Sequence, residues 1–455
     1  MRLLYIISLL LTAAATAWSQ QPASPVQSAP EPGAAEAGVP TAPSTTSNPV
    51  VPPPRTQRLA SLQRTSGFGR LSRVPYMVGD AFSNPLVGVR TDGPLPLQSI
   101  ELPTLAAQRT NIAENNSPLV RDRAFFTYYH FHNANSVTAF PGQIYGGTRD
   151  VSFDRWLIGF EKTLGEITSL EFRLPLVSEL DSDLLLSSGN LSPSAGLSQV
   201  GQQGEVGNLG FILKTILYSE AQLAFTAGMG VTAPTGADTR VTNRVDDPNF
   251  LVTFRQSSGG SVARIPTQVN SVVDLELENE TWYLTPYLAF AAAPSDRFFL
   301  QGFWQIDLAA GASDGRVNSD VQVPQFGVTG PPLSNAVRYD PANLMRFNLG
   351  GGTWLWRDAN RTISSAAMML EFHYTTSLEA GSLERVRLTQ DSSFFNSSEL
   401  LVGSLGRRTD LLNVVLGIPL NIGRTQITNG FAAPIRSGDE RVFDFEYSLL
   451  INRLF

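Results

Sequence analysis

The closing stretch of the chain, Val442 to Phe455, reads VFDFEYSLLINRLF. Its odd positions are Phe443, Phe445, Tyr447, Leu449, Ile451, Arg453 and Phe455, while its even positions include Asp444, Glu446, Ser448 and Asn452. A side-chain period of 2 is that of a β-strand, here with one aromatic and aliphatic face and one polar face. Such a strand fits either the edge of a soluble sandwich or the wall of a barrel in lipid. The rest of the chain separates the two.

Working outward from this strand, the same alternation returns. Leu412, Val414, Leu416, Ile418 and Leu420 line one face, and Met368, Leu370, Phe372 and Tyr374 lie across from Glu371 and His373. Phe298, Leu300, Trp304, Ile306 and Leu308 oppose Gln301, Gln305 and Asp307. Leu209, Phe211 and Leu213 oppose Lys214, Leu170 to Leu176 oppose Glu171 and Arg173, and Trp156, Ile158 and Phe160 oppose Arg155 and Glu161. With AFFTYYHFHN at Ala124 to Asn133, and with Leu223 to Val231, Trp282 to Ala291, Met345 to Trp356 and Thr425 to Ala433, the count is twelve strands. Short links at 165–167, 218–220, 293–296, 357–362 and 421–424 fall at every second junction. The other junctions are mostly long, 434–440 being the exception, and the insertion 237–280 can add a hairpin from Phe250–Phe254 and Val272–Leu277.

This pattern predicts an all-β fold over residues 121–455: a transmembrane antiparallel up-and-down β-barrel of about twelve strands, with short periplasmic turns and long extracellular loops. Unpaired backbone groups cost several kcal/mol each in hydrocarbon, so the barrel must close its edges. The closing pair is then the last strand and Ala124–Asn133, with Phe443, Phe445, Tyr447, Leu449, Ile451 and Phe455 against outer-membrane lipid.

Composition points the same way. Charged residues are 16% of the 455, low for a soluble protein, and mean hydropathy is −0.03. No apolar run long enough for a helical span follows the N-terminus, yet alternating strands hide a membrane surface from hydropathy. A net charge of −7 and the lack of a basic cluster argue against nucleic acid. The absence of cysteine excludes disulfides, thiolate metal sites, cysteine nucleophiles and a lipoprotein anchor.

Residues 1–19 read as a secretory signal peptide: Met1-Arg2, an apolar core from Leu3 to Leu11, and Ala15-Thr16-Ala17 as the cleavage motif. Residues 20–56, rich in Pro and Ala, read as a disordered linker. Residues 57–120 carry scattered hydrophobics with no sustained period, which predicts a poorly structured segment, either a lead-in or a plug in the lumen.

The chemistry of enzymes is thin. His130 and His132 share a strand face without a fixed acidic partner in sequence, and His373 has Glu371 on its face but no serine constellation. No P-loop, dinucleotide fingerprint, zincin motif or nucleophile elbow occurs, so no catalytic, cofactor or metal site is expected and the chain reads as a non-enzyme. The polar strand faces are more informative. Arg155, Glu161, Glu171, Arg173, Lys214, Asp307, Glu371, His373, Asp444 and Glu446 are the lumen-facing candidates, either as paired charges that fill the barrel or as groups that set the field along a pore. Twelve strands lie between a filled barrel and an open aqueous channel, which predicts a narrow conduit.

Two resemblances add to this reading. The last strand, with its alternating apolar residues and Phe455, resembles the C-terminal strand of bacterial outer-membrane β-barrels. That implies partners in the barrel-assembly machinery and periplasmic chaperones. Across Ala124 to Phe455 the chain also resembles the outer-membrane channel family associated with aromatic-degradation clusters of the phenol meta-pathway, through Gly-Asn-Leu-Gly-Phe at Gly207–Phe211, Ala-Pro-Thr-Gly-Ala-Asp at Ala233–Asp238, and Ala-Pro-Ile-Arg-Ser-Gly-Asp at Ala433–Asp439. This resemblance implies passive passage of small, hydrophobic or aromatic solutes across the outer membrane. The alternative is a structural or adhesive barrel that binds a partner through its long extracellular loops.

Overall fold

The computed structural model describes residues 69–80, 87–92, 98–102, 109–139, 148–178, 180–185, 197–202, 205–255, 262–389, 399–403, 408, 410–437 and 441–455. The chain divides into two compact units, 1–62 and 63–455, and all described residues belong to the second. The expected signal peptide and linker lie outside the described residues.

The alternating segments form twelve barrel strands. They are β1 (Arg123–Ala139), β2 (Thr148–Thr163), β3 (Thr168–Val177), β4 (Leu209–Ser219), β5 (Leu223–Ala233), β6 (Trp282–Ala292), β7 (Phe298–Ala310), β8 (Leu344–Arg357), β9 (Ser365–Ser377), β10 (Asp410–Ile422), β11 (Thr425–Pro434) and β12 (Phe445–Leu454). Each pairs antiparallel with its neighbours in chain order, and β12 closes the ring on β1 with Phe445 opposite His132 and Leu454 opposite Arg123. The result is a closed antiparallel barrel, in which every strand has a partner on both edges.

Parity decides which side chains face out. On β2, Arg155, Leu157 and Glu161 are buried, while Ile158 is 44% and Phe160 53% exposed. The same outward face carries Phe126, Phe211, Leu288, Phe347 and Phe431, each at least 37% exposed, so large apolar side chains form a belt on strands around the ring. Asn133 takes a positive φ of 52° and a bulge follows Phe131, which is where the alternation read in β1 breaks. The strand then resumes to Ala139.

Two expectations for the last strand are corrected. Ladder pairing begins at Phe445, so Phe443 and Asp444 fall outside the strand and its parity. Phe443 is fully buried, edge-on to Phe131 at 6.3 Å. Asp444 does not point inward: it is partly exposed and bonds Arg441 and Asn133 Nδ2.

The long junctions build further sheet at one end of the barrel. Thr239–Arg255 and Val262–Leu277 form a hairpin, with Phe250 opposite Thr267 and Arg244 opposite Val272, so Phe250–Phe254 and Val272–Leu277 do not face each other. Strands at 180–185, 197–202, 313–322 and 333–339 extend this hairpin to six strands. Val241, Leu275, Val317 and Val337 are buried on it.

Candidate functional site

A ring of twelve strands is too wide for wall side chains alone to fill, as eight strands allow. Residues 69–80 and 109–122 occupy the interior. Arg70 starts beside Asp296 in the short 293–297 turn (3.3 Å), and the chain ends this run at Asp80, whose carboxylate takes Asn413 Nδ2 at 2.6 Å near the long-loop end of β10. The second run travels the other way, from Arg109, which donates to the Ala342 carbonyl, to Asp122, which accepts from Thr163 N at 2.7 Å. The two runs pair with each other through Met77 N to Asn116 O (2.8 Å) and Asn115 N to Val78 O (3.1 Å). Gly79 permits this approach: its φ is +80° and an added Cβ would lie 2.4 Å from Glu114 Cα.

Residues 57–120 were expected to be a poorly structured segment, either a lead-in or a plug, and of these 74–80 and 109–120 are buried throughout. Tyr76, Met77 and Val78 are consecutive and all at most 1% exposed, because these runs are enclosed on every side. A segment with no solvent face has no reason to show a period of 2 or 3.6.

The walls grip these runs with side chains. Glu161 accepts from Arg123 Nε (2.9 Å), Lys214 Nζ (2.9 Å) and Ser169 Oγ (2.7 Å). Arg123 also reaches Glu171 (2.9 Å), the Asn115 carbonyl (2.7 Å) and Asn452 (2.7 Å), and it stacks over Tyr76. Arg173 joins Glu171 (2.6 Å) to the carbonyls of Asn111 (2.9 Å) and Glu114 (2.8 Å), and Arg155 pairs with Glu114 at 2.8 Å. Lys214 also bonds Asn116 Oδ1 at 2.9 Å. On the far wall Glu371 takes the amides of Val78 (2.9 Å) and Gly79 (3.0 Å) and holds His373 Nε2 at 2.9 Å. Gln305 accepts from Ile112 N (2.9 Å) and donates to Asp307, which pairs with Arg346 at 2.9 Å. Gln301 and Gln426 bond the backbone of Pro75 and Tyr76.

Of the lumen-facing candidates, Arg155, Glu161, Glu171, Arg173, Lys214, Glu371 and His373 therefore meet in networks around the inner runs, and Asp307 sits one bond away. Glu446 is buried beside Tyr129 and Arg155, and Asp444 lies outside. Sequence parity missed Arg123, Glu114 and the amides of Asn111, Asn115 and Asn116. The one signal was the density of amide side chains in N-I-A-E-N-N, each able to donate and accept in a closed space.

His130 and His132 lie on the outward face of β1. There Asp154 supplies the acidic partner that was not legible in sequence, bonding His130 Nδ1 at 2.8 Å and the Tyr128 hydroxyl at 2.9 Å.

The first two motifs singled out in sequence form one knot at the long-loop lip. Leu209 N donates to Thr235 Oγ1 (2.9 Å), Gly236 N to Asn208 Oδ1 (3.0 Å), and Asn279 Nδ2 to both Asn208 Oδ1 (2.6 Å) and Gly236 O (2.9 Å). The short motifs thus clamp the ends of β4 and β5 together beside the inner run at Thr110.

No family model matches the chain, and no curated protein matches its sequence. Among solved structures it is similar to an outer-membrane channel from Pseudomonas putida F1, at 14% identity over 76% of this chain and 100% of that one, with a TM-score of 0.40. It is similar to the toluene transporter TbuX of Ralstonia pickettii, at 10% identity over 86% and 99% with a TM-score of 0.34. It is likewise similar to the outer-membrane protease OmpT of Escherichia coli, at 9% identity over 82% and 97% with a TM-score of 0.30.

Proposed function

We propose that this chain is an outer-membrane channel for small solutes, closed by its own residues 69–80 and 109–122. The observation that carries the proposal is how these runs are held. The barrel's backbone ladder closes without them, and apart from Phe455 N to Asp122 O at 3.2 Å, at the end of the second run, the hydrogen bonds that hold them to the walls involve side chains, so the stretches 69–80 and 109–121 can shift without opening the ring. The apolar belt, the closed strand edges and the alternation of short and long links support a membrane location, with the short turns toward the periplasm. On this reading the chain's partners are outer-membrane lipid, the assembly machinery and chaperones that deliver barrels there, and the solutes themselves.

The walls carry guanidinium, carboxylate and amide groups, which suit water-soluble solutes better than hydrocarbon. A second reading, a structural or binding barrel, is favoured by the six-stranded sheet built from the long junctions. Planar-bilayer recording separates the two. The full chain should give discrete, brief openings, and a chain without residues 69–120 should give a larger and steadier current. No current from either folded protein would remove the channel reading and leave the second.

A further inference from the structure

The outward face of the barrel changes chemistry toward the long-loop end of the seam between β12 and β1. Phe126, Ile158, Leu449 and Ile451 make its lower part apolar. Above them Tyr128 lies 6.2 Å from Trp156 and 6.4 Å from Tyr447, an aromatic girdle of the kind that marks the edge of a barrel's apolar band. On the polar side of this girdle come His130 and His132, with Asp154 and Ser152 beside them on β2.

Both imidazoles are held through the same ring nitrogen. Asp154 Oδ1 lies 2.8 Å from His130 Nδ1 and also accepts from the Tyr128 hydroxyl at 2.9 Å. Ser152 Oγ lies 3.3 Å from His132 Nδ1 and is placed by the Asn133 amide at 3.2 Å. A hydrogen on Nδ1 leaves the lone pair at Nε2, so each ring keeps one nitrogen for a ligand. A carboxylate behind the other nitrogen is how metal-bound imidazoles are oriented. The site is open to solvent, since the His130 and Asp154 side chains are each 35% exposed.

The two rings project from one strand face with their centroids 6.4 Å apart. An ion with both nitrogens at about 2.0–2.1 Å draws such centroids to roughly 5 Å, so each ring needs to swing by less than about 1 Å. Among the described residues no three His, Cys, Asp or Glu side chains form a metal-binding group, so the protein supplies two ligands and leaves the other positions to water.

We propose that His130 and His132 bind a borderline transition-metal ion, Zn²⁺ or Cu²⁺, through both Nε2 atoms, with Asp154 orienting His130 from behind. Imidazole suits these ions, whereas Mg²⁺ and Ca²⁺ take oxygen ligands. The site stands apart from the lumen and does not rest on the channel reading.

Calorimetric titration of the full, detergent-solubilised chain, free of any purification tag, with ZnCl₂ tests this. One Zn²⁺ should bind saturably per chain, and an equal concentration of MgCl₂ should not displace it. His373, the third histidine, is buried and bonded at both ring nitrogens, so it does not compete. H130Q and H132Q should each weaken Zn²⁺ binding at least about tenfold, and D154N about tenfold through the loss of the partner behind His130. Heat-modifiable gel mobility shows that each variant has folded. A readout that needs no variant is the electron paramagnetic resonance of one equivalent of Cu²⁺ on the unaltered chain, which should carry hyperfine structure from two imidazole nitrogens. No saturable Zn²⁺ binding, an affinity in H130Q, H132Q or D154N equal to that of the unaltered chain, or a Cu²⁺ spectrum with oxygen ligands alone overturns the site.

Discussion

Replacing Glu161 by Gln should destabilise the folded barrel by about 3–5 kcal/mol, the usual cost of removing one partner from a buried ionic group. Glu161 is 2% exposed and accepts from Arg123, Lys214 and Ser169 at once. The amide keeps the volume, but it presents an N–H₂ where two cations sit and leaves Lys214 and Arg123 short of an anion. Both cations also hold the inner runs, through Asn116 Oδ1 and the Asn115 carbonyl, so the loss propagates into the lumen. Urea unfolding in detergent, followed by tryptophan fluorescence, checks this. An unchanged midpoint would mean that the network contributes little to the fold.

Gly79→Val should act on the inner runs and spare the ring. At φ +80° a β-branched residue costs about 1–3 kcal/mol, and forcing a Cβ to within 2.4 Å of Glu114 Cα adds overpacking of a further 1–3 kcal/mol or so. This strain falls on the inner runs, because the atoms that the added Cβ meets are Glu114 Cα, Glu114 N and Ala113 O and not those of a barrel strand. The closed state should therefore lose at least about tenfold in population relative to open states, at about 1.4 kcal/mol per tenfold. In single-channel records G79V should spend correspondingly more time open, with its heat-modifiable mobility retained. An unaltered open fraction would show that the pairing of 69–80 with 109–122 does not govern passage.

How far the sequence carried these conclusions depends on whether a residue has two faces. In β12, Glu446, Ser448 and Asn452 could be told from Tyr447, Leu449 and Ile451 by parity, and the structure buries the former while leaving the latter half-buried. The closing partner was legible as well, since only Ala124–Asn133 offered a matching aromatic strand at the other end of the ring. Parity failed at Phe443 and Asp444, where the ladder has not begun and the side chain follows the local bend. It said nothing about Tyr76, Met77 and Val78, or about Asn111 to Asn116, because these residues are enclosed all round and alternate with nothing.

The central claim is that residues 69–80 close the conduit and that passage requires them to move. The chain has no cysteine, so one engineered pair can pin this run to the wall without competition. Val78 packs on Gly417 of β10, where an added Cβ would lie 2.8 Å from Val78 Cγ2, and replacing Val78 removes that methyl. The two Cβ atoms of V78C/G417C then lie no more than about 4.3 Å apart, one C–C bond beyond that contact, which is within the reach of a disulfide. Planar-bilayer conductance of this variant is the direct measurement. Oxidised, it should be silent, and reductant added to the same bilayer should restore the openings of the unaltered chain. Equal conductance before and after reduction, with the disulfide confirmed by mass, would contradict the account.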